Sequence, residues 1–200
     1  MSKAQFTREK ILQKSAALFN RQGYAGSSMS DIMQVTGLKK GGIYNHFKSK
    51  DELALEAFDY IVGKINQRYS DALKGKRHAL DRLRAIIQVF RVYIDEDDFL
   101  LKGGCPVLNT AVESDDTHPA LRQRVQAVMN SWRHLIHRFI DKGIERRQIR
   151  PDVDADTVAT IMISSLEGAV MMSKLYGDPV HMQRAIAHLD QYVQTLAVQG

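Results

Sequence analysis

Apolar side chains recur at intervals of three and four residues along almost the whole chain, and no run of strict alternation stands out. This period is that of the α-helix, in which such positions share one face. Glycines, prolines and capping sequences divide the pattern into segments, three of which are short and precede residue 50. The sequence therefore predicts an all-α fold, in which a three-helix N-terminal domain precedes a C-terminal helical bundle of about six helices, nine helices in total.

The first three segments have clear internal signals. Ser28 and Asp31 have the spacing of a capping box at the start of the second segment. Ile43 and Phe47 lie one turn apart and mark the inward face of the third. The predicted helices are a first that stops at Gly23, a second over 28–36 and a third over 38–47.

The later segments are longer. Ser49 and Glu52 form an S-x-x-E capping box that opens a fourth helix reaching about residue 74. A Gly-Gly-Cys-Pro break precedes a short sixth helix, and Gly177 with Pro179 separates the last two. The predicted ranges are 80–94 with an acidic end at 95–98, about 106–113, 121 to about 143, 154–176 and 180–197.

Composition narrows the class of protein. Hydrophobic residues make up 44% and charged residues 26%, as in ordinary globular domains. No uninterrupted apolar run of 18 residues occurs, so no membrane span is expected. Cys105 is the only cysteine, which excludes an intrachain disulfide and fits a reducing, cytoplasmic location.

The charge is unevenly distributed. Residues 1–50 hold nine basic and two acidic side chains, a net charge of +7, whereas the remaining 150 residues carry a net charge of −2. A basic N-terminal end on a slightly acidic body indicates contact with a polyanion at that end.

The second and third helices, with the turn near Gly37, have the dimensions of a helix-turn-helix. In that motif one helix supports the other, whose outer face enters the major groove of DNA. Lysines there suit phosphates or guanine edges, and glycines permit close backbone approach. The candidate DNA-binding residues of the third helix and beyond are Lys39, Lys40, Gly41, Gly42, Tyr44, Asn45, His46 and Lys50.

The segment from Ile11 to Leu53 resembles the N-terminal DNA-binding domain of the TetR family of regulators. The likeness rests on Gly23-Tyr24, Ser28-Met29, Asp31-Ile32, Gly37, Lys40-Gly41, Tyr44, His46-Phe47, Lys50 and Leu53. It implies that contacts to the DNA backbone come from Ser28, Lys40, Gly41, Tyr44, His46 and Lys50. It also implies that base specificity falls on Lys39, Gly42 and Asn45, although relatives often carry a side chain where this chain has Gly42.

The rest of the chain resembles the family in architecture. One local motif, Gly104-Cys105-Pro106-Val107-Leu108-Asn109, resembles a signature found in a subgroup of these regulators. The resemblance implies that the fifth to eighth helices surround a small-molecule cavity. It also implies that the last two helices form a four-helix interface in a homodimer.

The candidate ligand-binding residues are mostly apolar, as pocket linings tend to be. The alternative for each is an ordinary core position. Glu167 interrupts an apolar run, and it could bind a cationic ligand, pair across a dimer or face water. The candidates are Phe58, Ile61, Phe90, Tyr93, Cys105, Leu108, Asn109, Val112, Trp132, Ile136, Met162, Leu166, Glu167 and Met171.

Cys105 supports an alternative function. Because Pro106 suits the first position of a helix, the sulfur would lie at a helix N-terminus, where a thiol ionises more readily. The chain could then sense electrophiles or oxidants through this thiol. A small buried residue at a tight break is the simpler interpretation.

No catalytic motif is present, so an enzyme is not expected, and neither is a cofactor. His134 and His137 lie off the inward stripe with no third ligand evident, so no metal site is expected. We predict a DNA-binding domain over 1–50 and a ligand-binding and dimerisation domain over 51–200. The expected partners are double-stranded DNA with a pseudo-palindromic operator, a small-molecule effector and a second copy of the chain. A DNA-binding protein with a filled core, insensitive to ligands, is the remaining alternative.

Overall fold

The computed structural model describes residues 2–94, 98–114 and 116–198. Within those ranges it has nine α helices, one 3-10 turn and a single isolated bridge between Ile149 and Ala197, which confirms the all-α prediction. The helices are α1 (Lys3–Gln22), α2 (Met29–Thr36), α3 (Lys40–Tyr44), α4 (Lys50–Leu73), α5 (Ala79–Val89), α6 (Pro106–Ser114), α7 (Pro119–Glu145), α8 (Ala155–Tyr176) and α9 (Val180–Thr195), with the 3-10 turn at Phe90–Tyr93.

Local sequence signals set the start and end of α2. The Ser28 hydroxyl accepts the Asp31 N–H, while the Asp31 carboxylate accepts the Ser28 N–H at 2.7 Å, so the predicted capping box is confirmed. The Ser28 hydroxyl donates to the same carboxylate, and this bond, with that from the Ser28 N–H, holds the pKa of the Asp31 carboxyl below its usual range. Gly37 ends the helix with φ 70°, a left-handed conformation that suits glycine.

The capping box predicted before α4 forms only in part. The Ser49 hydroxyl accepts the Glu52 N–H at 3.0 Å, as expected. The Glu52 carboxylate, however, accepts the N–H of Lys48 instead of that of Ser49. Ser49 therefore caps the start of the helix, whereas the return bond from Glu52 goes to Lys48, one residue earlier than in a capping box.

Two helices are shorter than predicted. α3 ends at Tyr44, because the next turn tightens: the His46 N–H bonds the carbonyl of Ile43 at 2.9 Å, an i to i+3 contact. α5 ends at Val89 and continues as the 3-10 turn instead of running on to residue 94. Of the acidic stretch predicted to end that helix, residues 95–97 lie outside the described residues.

The chain divides into two compact units, one made of residues 1–65 and 97–125 and the other of residues 66–96 and 126–200. In the first unit α2 packs on α1 and α3, and α6 packs on α1. Its core includes fully buried side chains from α1 to α4: Ile11, Ile32, Ile43, Phe47 and Leu53. These units have other boundaries than the functional domains predicted over 1–50 and 51–200, and that functional division stays a prediction.

The second unit is built on α9, which packs against α5 and α8. Its largest fully buried side chains include Leu83, Ile87, Ile140, Met162 and Leu189. α8 is long and apolar enough to cross a membrane, with a mean hydropathy of 1.3 over 18 residues. Its buried residues and its packing on α9 are those of a core helix in a folded bundle.

Candidate functional site

α3 separates an outward polar face from a buried one. Ile43 and Phe47 are each 1% exposed. Tyr44 is 39% exposed and points away from them. The candidate DNA contacts Lys39, Lys40, Gly41 and Asn45 are exposed, and Gly42 and His46 are half-buried. The structure therefore brings the candidates of the third helix together on one accessible face.

Gly41 and Gly42 leave open space above the helix. A Cβ atom at Gly41 would have no heavy atom within 4 Å, and one at Gly42 would make an ordinary contact with the Leu38 side chain at 3.7 Å. Neither residue has a positive φ. The fold of this chain therefore does not require glycine at either position, and close approach of the backbone to DNA there stays a prediction.

The exposed face carries both positive charge and an aromatic ring. The Lys40 ammonium lies 5.7 Å from the centre of the Tyr44 ring, within the range of a cation–π contact. The Arg8 guanidinium lies 4.8 Å from the ring of Phe47, which follows α3, and pairs with Glu56. Lys40 is exposed, whereas Arg8 is half-buried against this ring.

Two other candidate DNA contacts are already engaged within the protein. The Ser28 hydroxyl also donates to the Asp31 carboxylate at 2.6 Å. The Lys50 ammonium donates to the carbonyl of Tyr24 at 2.6 Å and lies 4.1 Å from the centre of its ring. Contact with DNA through Ser28 or Lys50 would share or replace these bonds, and it stays a prediction.

The loop between α1 and α2 is held by side-chain contacts that the sequence alone does not indicate. The Tyr24 hydroxyl donates to Asp51, and the edge of the His118 ring contacts the Tyr24 ring. Burial, together with the bond to Asp51, raises the pKa of Tyr24 to about 12, and the same bond lowers the pKa of Asp51. The Glu113 carboxylate accepts two backbone N–H groups of the loop.

The second unit encloses a nearly apolar cavity of about 20 Å³, room for about one water molecule. Six candidate ligand residues line it: Phe90, Trp132, Ile136, Met162, Leu166 and Glu167. Tyr69, Ile86, Leu135 and Ile163 complete the lining, and helical spacing alone did not distinguish them from other core positions. The structure thus brings six of the fourteen candidate ligand residues together around one small cavity.

Three residues of this lining carry a polar side-chain group: Tyr69, Trp132 and Glu167. Trp132 is 7% exposed, and its Nε1–H has no hydrogen-bond partner among the described residues. Glu167 is 5% exposed, so the carboxyl is buried rather than facing water. A few polar groups in a mostly apolar lining are the usual means by which a pocket orients a ligand.

The first unit has a separate cavity of about 30 Å³ between α1, α4 and α6. Phe58 and Ile61, predicted for the same pocket as Trp132, line this one instead. The predicted single pocket is therefore distributed over two cavities.

The other candidate ligand residues occupy different positions. Asn109 donates to Asn20 and to the carbonyl of Gly103, and Cys105 is buried at 2% exposure. Val112 is 75% and Met171 51% exposed. Within the described residues, these four, with Tyr93 and Leu108, line neither of the two cavities. Their ligand contacts stay predictions.

No cluster of three or more metal-ligating side chains occurs in the ranges that the structure describes. The His137 Nε2 atom lies 3.1 Å from the Asp156 carboxylate, which pairs with Arg133 at 2.5 Å. His134 is exposed on α7.

Comparison with known proteins agrees with this arrangement. The family model "Bacterial regulatory proteins, tetR family" matches residues 11–57, and "Tetracyclin repressor-like, C-terminal domain" matches residues 79–189. A TetR transcriptional regulator from Chloroflexus aurantiacus J-10-FL has 48% identity and a TM-score of 0.92 over 98% of each chain. A TetR-family regulator from Cytophaga hutchinsonii has 32% identity and a TM-score of 0.89, over 100% of this chain and 99% of its own. The HTH-type transcriptional repressor DhaR from Mycobacterium sp. strain GP1 is 26% identical over 84% of this chain and 82% of its own.

The C-terminal family model alone spans more than half of the chain. The N-terminal model covers α2 and α3, whose outward lysines, glycines and tyrosine form the accessible face. The chain belongs to the TetR family of DNA-binding transcriptional regulators, which are not enzymes.

Proposed function

We propose that this regulator is a cytoplasmic repressor that binds a pseudo-palindromic operator as a homodimer and leaves it when a small molecule binds. The observation that carries the DNA-binding part is the outward face of α3, where Tyr44 is 39% exposed beside Lys39 and Lys40. Lysines that neutralise phosphates release counterions, so binding should weaken steeply as salt rises. Lys39 and Asn45 would contact base edges, while Tyr44 and Gly41 would set the backbone distance.

An exposed apolar face on α8 supports dimerisation. Met171, Met172, Leu175 and Tyr176 are between 38% and 70% exposed and lie on one side of the helix. A contiguous apolar surface of this kind is typical of a protein interface. The same face on a second copy would cover it in a two-fold arrangement, as family members typically do.

Selection of duplexes from a random pool tests DNA binding and dimerisation together. The wild type should select an inverted repeat, because two heads related by two-fold symmetry read two half-sites. Leu175→Glu should sediment as a monomer, and its affinity for the selected duplex should fall about a hundredfold, since the second contact is no longer intramolecular. Gln126→Glu adds the same charge at an exposed polar position of α7, outside the predicted interface of the last two helices, and should leave both properties unchanged. Selection of a single half-site, or a dimeric Leu175→Glu variant, would be incompatible with the proposal.

The cavity of the second unit supports an effector that is mainly apolar and carries one hydrogen-bond acceptor. The buried Trp132 Nε1–H lacks a partner among the described residues, a cost of about 1–3 kcal/mol that an acceptor on a ligand would relieve. Since the cavity measures only about 20 Å³, a ligand must move the lining helices apart. To weaken DNA binding, the ligand must prefer the state in which the two DNA-binding domains of the dimer are farther apart, by about 1–3 kcal/mol. We propose that α4 transmits the movement of the cavity lining to the DNA-binding domain through Ser49 and Lys50.

Trp132 is the only tryptophan, so its fluorescence reports on the cavity directly. Cyclohexanone should change its emission and raise the thermal midpoint at lower concentration than cyclohexane, which has the same ring without an acceptor. Trp132→Phe keeps an aromatic ring but loses the donor, and its thermal midpoint should no longer distinguish the two probes. Emission unchanged by either probe up to its solubility limit would favour a ligand-insensitive protein with a filled core.

Thiol sensing is the less supported alternative. Cys105 is 2% exposed, and modification of a thiol requires access as well as a lowered pKa. The Gly-Cys-Pro-x-x-Asn motif still favours membership of a subgroup within the family. Gly104 and Asn109 of this motif both form hydrogen bonds with Asn20. The motif therefore has a structural role that does not depend on the chemistry of the Cys105 sulfur.

A further inference from the structure

The Glu113 side chain of α6 joins directly to the loop that precedes the helix-turn-helix. One carboxylate oxygen accepts the Tyr24 N–H at 2.8 Å, and the other accepts the Ala25 N–H at 2.7 Å. Both oxygens of one carboxylate therefore bind two successive amides, between the end of α1 and the start of α2. Hydrogen bonds to a charged acceptor are roughly twice as strong as neutral ones.

The backbone of this loop is shaped around the carboxylate. Gly23 has φ 78°, and a Cβ atom there would lie 2.8 Å from Oε1 of Glu113. A side chain at Gly23 would thus be disfavoured both by the backbone conformation and by the neighbouring oxygen. Gly23 and Glu113, 90 residues apart in the chain, therefore lie directly against each other.

The other side of the loop is fixed by the start of α4. The Lys50 ammonium bonds the Tyr24 carbonyl at 2.6 Å, and the Tyr24 hydroxyl donates to Asp51. Tyr24 is consequently held at its N–H by α6 and at its carbonyl and hydroxyl by α4. The loop has little freedom to move unless α6 or α4 moves with it.

α6 is itself fixed to the end of α1. The Asn109 amide donates to the Asn20 side-chain oxygen at 2.9 Å, and the Asn20 amide donates to the Gly104 carbonyl at 2.9 Å. A Cβ atom at Gly103 would lie 2.2 Å from the Asn20 carbonyl oxygen, so the two backbones are in close contact. A displacement of α6 would therefore be passed to the DNA-binding helices at two points.

We propose that Glu113 is a positioning residue for DNA binding, which holds the loop between α1 and α2 and thereby sets the orientation of α2 and α3. This inference rests on the proposed use of the outward face of α3 to read DNA. It assigns to α6 a direct connection to the DNA-binding helices, in addition to the one through α4.

The direction of the change in DNA affinity distinguishes a positioning role of Glu113 from a purely electrostatic effect of its charge. Removal of a negative charge from the DNA-binding unit should tighten binding to a polyanion. A positioning role predicts the opposite, because the released loop no longer orders the helices before DNA arrives. Glu9→Gln removes the same charge from an exposed site on α1 and serves as the matched control.

The test compares Glu113→Ala, Glu113→Gln and Glu9→Gln with the wild type on the duplex selected by the wild type. Amide hydrogen exchange at Tyr24 and Ala25 reports the local bonds, and the dissociation constant reports DNA binding. We expect exchange at both amides to rise about tenfold in Glu113→Ala and affinity to fall about tenfold, equivalent to about 1.4 kcal/mol. Glu113→Gln keeps one acceptor oxygen, so it should show a smaller change of the same sign, and it decides the question if the alanine variant lacks the helix content of the wild type.

Two results would overturn the inference. Unchanged exchange at Tyr24 and Ala25 would mean that the carboxylate does not hold the loop. Faster exchange with equal or tighter DNA binding, as in Glu9→Gln, would mean that the loop does not orient the DNA-binding helices. A failure of the proposed function would look different, since the wild type and Glu9→Gln would then also fail to select or bind a duplex.

Discussion

Gly41→Ala is expected to weaken DNA binding about tenfold or more while the protein becomes no less stable. The added methyl group has no heavy atom of the protein within 4 Å, so the fold accommodates it. Alanine in place of glycine inside a helix is favourable by roughly 0.5–1 kcal/mol. The same methyl group projects from the face that we assign to DNA, where it would keep the backbone of α3 away from a phosphate. Dissociation constants and thermal midpoints, measured together, check the two halves of this expectation.

Gly63→Ala is the matched control for that experiment. Gly63 lies within α4, and a Cβ atom there also has no heavy atom within 4 Å. The control should show a similar gain in stability with unchanged DNA binding. If Gly41→Ala binds DNA as tightly as the wild type does, α3 does not approach DNA closely at this position.

Phe47→Ala and Tyr44→Ala are expected to affect different properties, although the residues are only three positions apart. The first should lower the stability of the fold, and the second should lower the affinity for DNA. Phe47 is 1% exposed, and truncation of a buried phenylalanine costs about 3–5 kcal/mol, a large part of the stability of a domain. Tyr44 is 39% exposed, so its truncation should change the free energy of unfolding by less than about 1 kcal/mol. It should nevertheless remove a large part of the affinity for DNA.

Denaturant unfolding of both variants, with DNA binding of Tyr44→Ala, checks this contrast. Tyr44→Phe keeps the ring and removes only the hydroxyl, so it distinguishes a hydrogen bond to phosphate from contact by the ring itself. Loss of stability in Tyr44→Ala comparable to that in Phe47→Ala would show that the outward assignment of this face is wrong.

The sequence predicted those features that depend on neighbouring residues. The capping box at Ser28 and the stop at Gly37 are fixed within a single turn of chain, and both occur. The length of α3 was wrong, because its last turn is decided by i to i+3 bonds such as that from His46 to Ile43. Such a change leaves no mark in the apolar spacing, since Phe47 is still inward.

The spacing of apolar residues did not predict contacts between segments that are distant in the chain. Glu113 reads as an ordinary polar residue near the end of a short helix, and only the folded chain brings it to Tyr24. The pocket residues illustrate the same limit. Phe58 and Trp132 are both apolar positions at helical spacing, yet each lines a different cavity. Periodicity identifies the buried side of a helix, whereas the partner of that side depends on the tertiary arrangement.

Chemical footprinting of the wild type on its selected duplex tests the central claim most directly. If α3 from each of two protomers enters the major groove, guanine N7 atoms should be protected in two grooves on the same side of the duplex. The centres of the two protected groups should be about 34–36 Å apart, one turn of DNA, or a multiple of that distance. Protection of minor-groove positions alone, or of a single half-site at saturating protein, would contradict the account.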